Sequence, residues 1–403
     1  MFVRWIFALA VVLVAASGAP SAAALTPSVV ARRVPESGPV LAGSDVVWLE
    51  NRSSSNAVLV VIARPGRNVV VRRLRLPVPP VGASIDEAFG DGVIASAGYL
   101  GVIRHLTVCG PPGYACGVSD DLLTGPLGGR LSVLASDARC QGGAITAESA
   151  NLSGNVIAYA EGPSSCASSA PARIVVRDLR RPHRSRVIGA VASYPGTAAV
   201  RAAGRFVAWS DPTPSASAIV VYDLAAGRVA YRLTPRHLGT DEILGWDLQS
   251  DGKLAVAYNR AGRRSLAWLA MPDAHVHRLA GASPGSSGVG PSDASLRIAR
   301  DEIAFVQHGS TLTLMDLGGH AQLIRRFTEK RAEIGGFDFD GQRLVWAEQD
   351  IKYIEVHCPT SGSGACEGKA IGPTFILSHR TAPPASPDNR ASERSTGRRK
   401  AKA

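Results

Sequence analysis

Long apolar runs are nearly absent from this 403-residue sequence. Only residues 5–16 form one, and its length falls short of the roughly twenty residues a membrane-spanning helix needs. Helical periodicity is equally scarce, which argues against a helical bundle. No P-loop, dinucleotide fingerprint, His-Glu-x-x-His zinc motif or haem-attachment motif occurs, so the sequence points to no cofactor. There is no Cys-x2-Cys pair and no compact Cys/His cluster, which weighs against a zinc site. A nucleic-acid-binding stripe is missing too. The formal charge is +11, but residues 380–403 hold seven basic residues against two acids, and Arg4 accounts for one more charge. About +5 remains for the body of the chain, which is no nucleic-acid signature.

What the N-terminus does contain is an export signal. Arg4 supplies a positive start, Trp5 to Ala16 form the apolar run, and Ser17 to Ala24 are small residues. Ala22 and Ala24 make a small-x-small pattern, so cleavage is expected after Ala24, with a retained anchor as the alternative. Residues 1–24 are thus read as a signal peptide, residues 25–378 as the folded domain and residues 379–403 as a tail. The expected location is secreted or extracytoplasmic, in a periplasm or at a cell surface. Six cysteines, all in the mature part, suit an oxidising space. Nearness in sequence favours the pairs Cys109 with Cys116, Cys358 with Cys366, and Cys140 with Cys166, among fifteen pairings that six cysteines allow.

One phrase recurs along the folded part: a short apolar strand carrying an aromatic residue and ending in a polar one. It reads Val47-Trp48-Leu49-Glu50, Ala158-Tyr159-Ala160-Glu161, Ala208-Trp209-Ser210-Asp211, Ala257-Tyr258-Asn259, Ala304-Phe305-Val306-Gln307 and Val345-Trp346-Ala347-Glu348. From Tyr159 onward the aromatic steps by 50, 49, 47 and 41 residues, and the gap of 111 between Trp48 and Tyr159 leaves room for one more copy, assigned to Asp91 to Ala97. Turn signals such as Ser153-Gly154-Asn155, Ser250-Asp251-Gly252-Lys253 and Asp340-Gly341-Gln342 precede the phrase, as hairpins require. A second apolar strand follows in several copies, most clearly at Ile219 to Gly227, with echoes at Ile174 to Leu179 and Leu312 to Gly318.

Units of roughly 40 to 60 residues, rich in short strands, are the pattern of β-propeller blades. The expected fold is all-β, a propeller of seven blades, with six or eight as alternatives, followed by a disordered basic C-terminal tail. The phrase from Trp246 to Tyr258, with its Asp-Gly turn, and Val220 to Gly227 after the preceding copy resemble the TolB-like and WD-repeat-like propellers. The resemblance spans about residues 38–378 and weakens in the first two blades. The recurring aromatics, Trp48, Trp209, Phe305 and Trp346 among them, are expected to pack between blades. Ser28 to Val34 is expected to close the ring beside Thr374 to Ser378. After His379, proline, serine, arginine and lysine replace the apolar pattern, and such a segment cannot offset the entropy of ordering itself.

Three local patterns touch on chemistry. Gly281-Ala282-Ser283-Pro284-Gly285 matches the Gly-x-Ser-x-Gly elbow of serine hydrolases, but it sits in a Gly/Ser/Pro loop where a strand and a helix would be needed. His275 and His277 alternate, which on a strand puts both rings on one side, as two metal ligands or as a polar outer strand. Asp338 and Asp340 precede Gly341, yet the ligand series of a calcium loop is absent.

Two readings of function follow. The resemblance implies a non-catalytic, monomeric propeller that binds a protein, peptide or envelope polymer through the loops at one end, with weak contact of the tail to an anionic surface. The alternative is an enzyme on the same scaffold, such as a polysaccharide lyase, a glycosidase or a quinone-dependent dehydrogenase. Charged residues gathered in the channel would favour the enzyme.

Overall fold

The computed structural model describes residues 27–381 apart from 34, 36, 53–56, 65–67, 76, 78–83, 111–115, 139–144, 147, 163–170, 182–183, 192–197, 213–216, 241, 272, 286–294, 309, 329–330, 351, 358–366 and 372. The signal region, the tail from 382 onward and Cys140, Cys166, Cys358 and Cys366 therefore lie outside the described residues.

The chain opens with β1 (Ser28–Ala31) and then lays down four-stranded antiparallel meanders. Blade 1 comprises β2 (Ser37–Ala42), β3 (Asp45–Arg52), β4 (Ala57–Ala63) and β5 (Val70–Arg73). Blade 2 comprises β6 (Ser84–Ser96), β7 (Tyr99–Cys109), β8 (Cys116–Pro126) and β9 (Ser132–Ala138). Blade 3 has β10 (Ala150–Ser153), β11 (Val156–Glu161), β12 (Ala172–Asp178) and β13 (Ser185–Val191). Blade 4 has β14 (Val200–Ala203), β15 (Phe206–Pro212), β16 (Ser217–Asp223) and β17 (Arg228–Leu233). Blade 5 has β18 (Glu242–Leu248), β19 (Lys253–Arg260), β20 (Arg263–Ala270) and β21 (His277–Leu279). Blade 6 has β22 (Leu296–Ala299), β23 (Glu302–Gln307), β24 (Thr311–Asp316) and β25 (Ala321–Arg326). The last blade runs β26 (Arg331–Phe339), β27 (Arg343–Asp350), then a side hairpin of β28 (Tyr353–His357) and β29 (Glu367–Ile371), then β30 (Thr374–Arg380).

This is a seven-bladed propeller, since seven four-stranded sheets form the ring. Its closure is the expected one: β1 is the outermost strand of the last blade, pairing Ser28 with Ser378 and Val29 with Leu377. The folded domain extends two residues past the expected boundary, because β30 continues through buried His379 to Arg380.

Every aromatic of the recurring phrase lies on the second strand of its blade and is at most 3% exposed. The polar residue that ends the phrase has a partner role of its own. Two positions on, it faces the same side of the strand. Glu50 accepts the Trp48 indole N–H at 2.9 Å, and Glu348 accepts that of Trp346 at 3.2 Å. A large ring can thus be buried without stranding its donor.

In blade 2 the assignment of the missing copy needs correction. Asp91 to Ala97 is the end of the innermost strand, β6, with its turn; the second strand is β7. Three positions beyond the first residue of the second strand, where Trp48, Tyr159, Trp209 and Phe305 stand, blade 2 has Val102. With a smaller residue there the sequence loses the aromatic marker. Blade 2 differs in length as well, its first three strands having 13, 11 and 11 residues. Its long hairpin ends at the Cys109–Cys116 disulfide, joined across directly paired positions.

Non-reducing peptide mapping should find Cys109 linked to Cys116 and Cys358 linked to Cys366, the latter two being the sequence neighbours of the paired His357 and Glu367. Rings this short constrain a loop more than the global fold. A bridge between distant blades, or free thiols at these positions, would contradict it.

The two faces of the ring differ. One, the turn face, carries the connections between first and second strands and between third and fourth. Several are two-residue turns such as Gly154-Asn155 and Gly204-Arg205, where glycine supplies a φ of 59° and 58° that other side chains rarely adopt. The opposite, loop face carries the tip of the blade 2 hairpin, the β28–β29 hairpin and the crossovers between blades.

Candidate functional site

The seven innermost strands enclose a central channel of about 730 Å³. One side chain per blade sets its character. It is the residue of the innermost strand paired two positions beyond the start of the second strand: Val40, Ile94, Asn151, Arg201, Asp247, Arg297 and Asp338. Blades 1 and 2 therefore give an apolar arc and blades 3 to 7 a polar one.

The polar arc is a continuous belt that ties each blade to the next. The Asn151 side-chain oxygen accepts the Ala202 backbone N–H of blade 4 at 3.0 Å. Arg201 of that blade reaches Asp247 of blade 5 at 3.4 Å, and the other Asp247 oxygen accepts the Ile298 N–H of blade 6 at 2.9 Å. Arg297 of blade 6 contacts Asp338 of blade 7 at 3.3 Å, whose second oxygen accepts the Leu41 N–H of blade 1 at 2.8 Å. Both carboxylates are thus occupied on both oxygens. Burial pushes the Asp247 pKa above the usual carboxylate value, against the pull of Arg297 and Arg201. Burial, then repulsion from Arg297, lowers that of Arg201. Buried charges held this way fix the register between blades more than they add net stability.

Charged groups do gather in the channel, the feature that would favour an enzyme; Arg201, Asp247, Arg297 and Asp338 are committed to one another and to backbone, and Glu148 also lines the channel. Among the described residues no His, Cys, Asp and Glu group is arranged to hold a metal ion. The ring was readable in the sequence as a lone polar residue between two apolar ones: Val200-Arg201-Ala202, Trp246-Asp247-Leu248, Leu296-Arg297-Ile298 and Phe337-Asp338-Phe339. What obscured it is that the same pattern describes any half-buried strand.

The other candidate patterns resolve into structure. Ser283 and Pro284 lie along the end of β23, Ser283 N–H donating to the Gln307 side chain at 3.1 Å and Pro284 bridging to Gln307, so Ser283 sits in a bridged extended segment. His277, the first residue of the outer strand β21, stacks flat on Trp268 at 4.1 Å, and His275, in the exposed segment before that strand, meets His277 edge-on at 4.9 Å. Asp338 belongs to the belt, while Asp340 accepts the backbone N–H groups of Gln342 and Arg343 and so holds its turn.

Blade 2 contains a cluster that the sequence reading missed. His105 Nδ1 lies 3.0 Å from Asp120, and Thr107 Oγ1 lies 3.4 Å from the other ring nitrogen. This has the order of a nucleophile, a base and an acid. His105 and Asp120 are buried within the sheet, His105 stacked on Phe89, and the cluster lies away from the channel lining. On the opposite sheet face Ser136 donates to Asp121, which also holds buried Arg104. Both networks satisfy polar groups in the long hairpin.

No family model matches the sequence, and no curated protein sequence matches it. Solved propellers are similar in fold alone. Sqt1 of Saccharomyces cerevisiae is 10% identical, with 87% of this chain and 96% of that chain covered and a TM-score of 0.42. TolB from Acinetobacter baumannii is 12% identical over 75% of this chain and 80% of that one, with a TM-score of 0.35. The WD40 domain of coronin from Toxoplasma gondii is 11% identical over 89% and 85%, with a TM-score of 0.42.

Proposed function

We propose that this chain is an exported, non-catalytic propeller that binds a protein partner through its loop face. The observation that carries the reading is the asymmetry of the ring. The long excursions, the disulfide-closed tip of blade 2 and the β28–β29 hairpin leave from one face, while the other is built largely of short turns. Surface excursions on a rigid scaffold are where propellers vary their contacts. The channel supports the same reading, since Asp247 and Asp338 are engaged in holding blades together. Export is supported by the N-terminal signal pattern and by a disulfide, a bond that persists in oxidising compartments.

The test replaces residues 351–372 by a short turn joining β27 to β30, and compares capture of partners from an envelope extract with that by the unaltered chain. Loss of a specific partner with an unchanged melting curve is the expected outcome. Equal capture by both chains, or turnover of polysaccharide or of a quinone-linked dye, would move the reading to another surface or to an enzyme.

A further inference from the structure

Two neighbouring turns on the turn face form a basic patch. The β12–β13 turn and the start of its outer strand present Arg180, Arg181, Arg184 and Arg186, and the adjoining blade 4 presents Arg205 and Arg228; all six are exposed. Arg186 reaches across the boundary to blade 4, while Arg205 is held within blade 4. Arg186 donates to the Tyr222 hydroxyl and the Gly227 carbonyl, and Arg205 lies over the Phe206 ring at 4.8 Å and 3.5 Å from Asp223.

The two carboxylates nearby hold the turns. Asp178 accepts the Arg180 backbone N–H at 3.0 Å and the Asn155 amide, and Asp223 accepts the N–H groups of Ala225 and Ala226. Among the described residues Arg180, Arg181, Arg184 and Arg228 form no direct ion pair; all four are exposed, with Asp178 within electrostatic reach of Arg180 and Arg181.

Topology adds a second observation, independent of charge. β27 runs away from the turn face, β30 runs back to it, and β1, antiparallel to β30, starts from it. The Thr381 N–H ends hydrogen-bonded to the Gln342 carbonyl in a turn of that face. Residues 25–26, and residues 382–403 with six basic residues against two acids, therefore both attach on the side where the arginine patch lies.

We infer that the turn face docks on an anionic phospholipid surface, with the patch of blades 3 and 4 as the contact made by the folded body. Guanidinium groups spread over the turns of two adjoining blades match a plane of phosphate headgroups. The loop face is then presented away from the membrane, whatever partner it takes.

The experiment measures co-sedimentation with vesicles of phosphatidylcholine alone and of phosphatidylcholine with phosphatidylglycerol, using residues 25–403 and 25–381. All ring-forming strands fall within the shorter chain. Both chains should bind only the anionic vesicles, and less as salt rises. In the shorter chain Arg180→Gln, Arg181→Gln and Arg184→Gln together should weaken binding by about a hundredfold, roughly fivefold per charge. The same number of charges removed from the loop face, by Arg260→Gln, Arg263→Gln and Arg264→Gln, should leave it unchanged. Melting curves confirm that each variant is folded. Equal losses for the two triple variants, no binding by 25–381, or preference for soluble polyphosphate over vesicles would overturn the proposal.

Discussion

Trp209→Ala should lower stability by about 3 to 5 kcal/mol, the cost of emptying a large aromatic site that its surroundings cannot refill. Trp209 is 3% exposed and packs with Val191, Val200 and Val220 at the junction of blades 3 and 4. Its ring lies directly on the backbone of β13. A Cβ placed on Gly189 would come within 2.6 Å of Trp209 Cζ2 and 2.9 Å of Cη2. Gly189→Ala is therefore expected to overpack the junction and cost about 1 to 3 kcal/mol. The two changes should not add, because the new methyl group occupies part of the space the indole vacates. Chemical denaturation of the two single variants and the double variant measures this. Additive losses would mean that ring and glycine do not share a site, and an unchanged melting curve for Trp209→Ala would place the residue outside the core.

The second large effect is expected at Asp247. Replacing it with alanine leaves Arg201 desolvated without its counter-charge and removes the acceptor of the Ile298 N–H. Breaking a buried pair from one side costs about 3 to 5 kcal/mol. Asp247→Asn keeps an oxygen for Ile298 and should lose less. The decisive variant combines Asp247→Leu with Arg201→Met. If the pair serves mainly to set the register between blades, the double change should be far milder than Asp247→Ala. A double variant as damaged as the sum of its parts would show that Arg201 and Asp247 do not act on one another. Both variants leave the turn face untouched, so vesicle binding serves as a check that the fold persists.

Sequence legibility followed the size of the residues involved. The aromatic second strands announce themselves because a buried Trp or Tyr is rare enough to mark a period, and β1 could be paired with β30 from its position alone. Blade 2 hid because Val102 takes the aromatic place and because its hairpin is longer than those of its neighbours. The channel belt was harder still. Each of its members is an ordinary polar residue in an ordinary strand, and only the ring places Asp338 next to Leu41, 297 residues away. The arginine patch is local in blade 3 but becomes a patch only when Arg205 and Arg228 of blade 4 are brought beside it.

Ring closure by β1 has a consequence for how the protein is made. The segment that completes the circle leaves the ribosome among the first, while the strand it pairs with is among the last. The two meet across a separation of 350 residues, as in the Ser28 side chain donating to the Ser378 carbonyl. Closing so large a loop is not itself prohibitive, since each doubling of length adds only about 0.6 kcal/mol. Timing is the harder constraint. Until β30 arrives, the apolar edge of β27 and the free strand at the other terminus both stand open to neighbouring chains. A translation product stopped short of Thr374 would hold six finished blades and an unsealed gap, and would be drawn into aggregates or cleared.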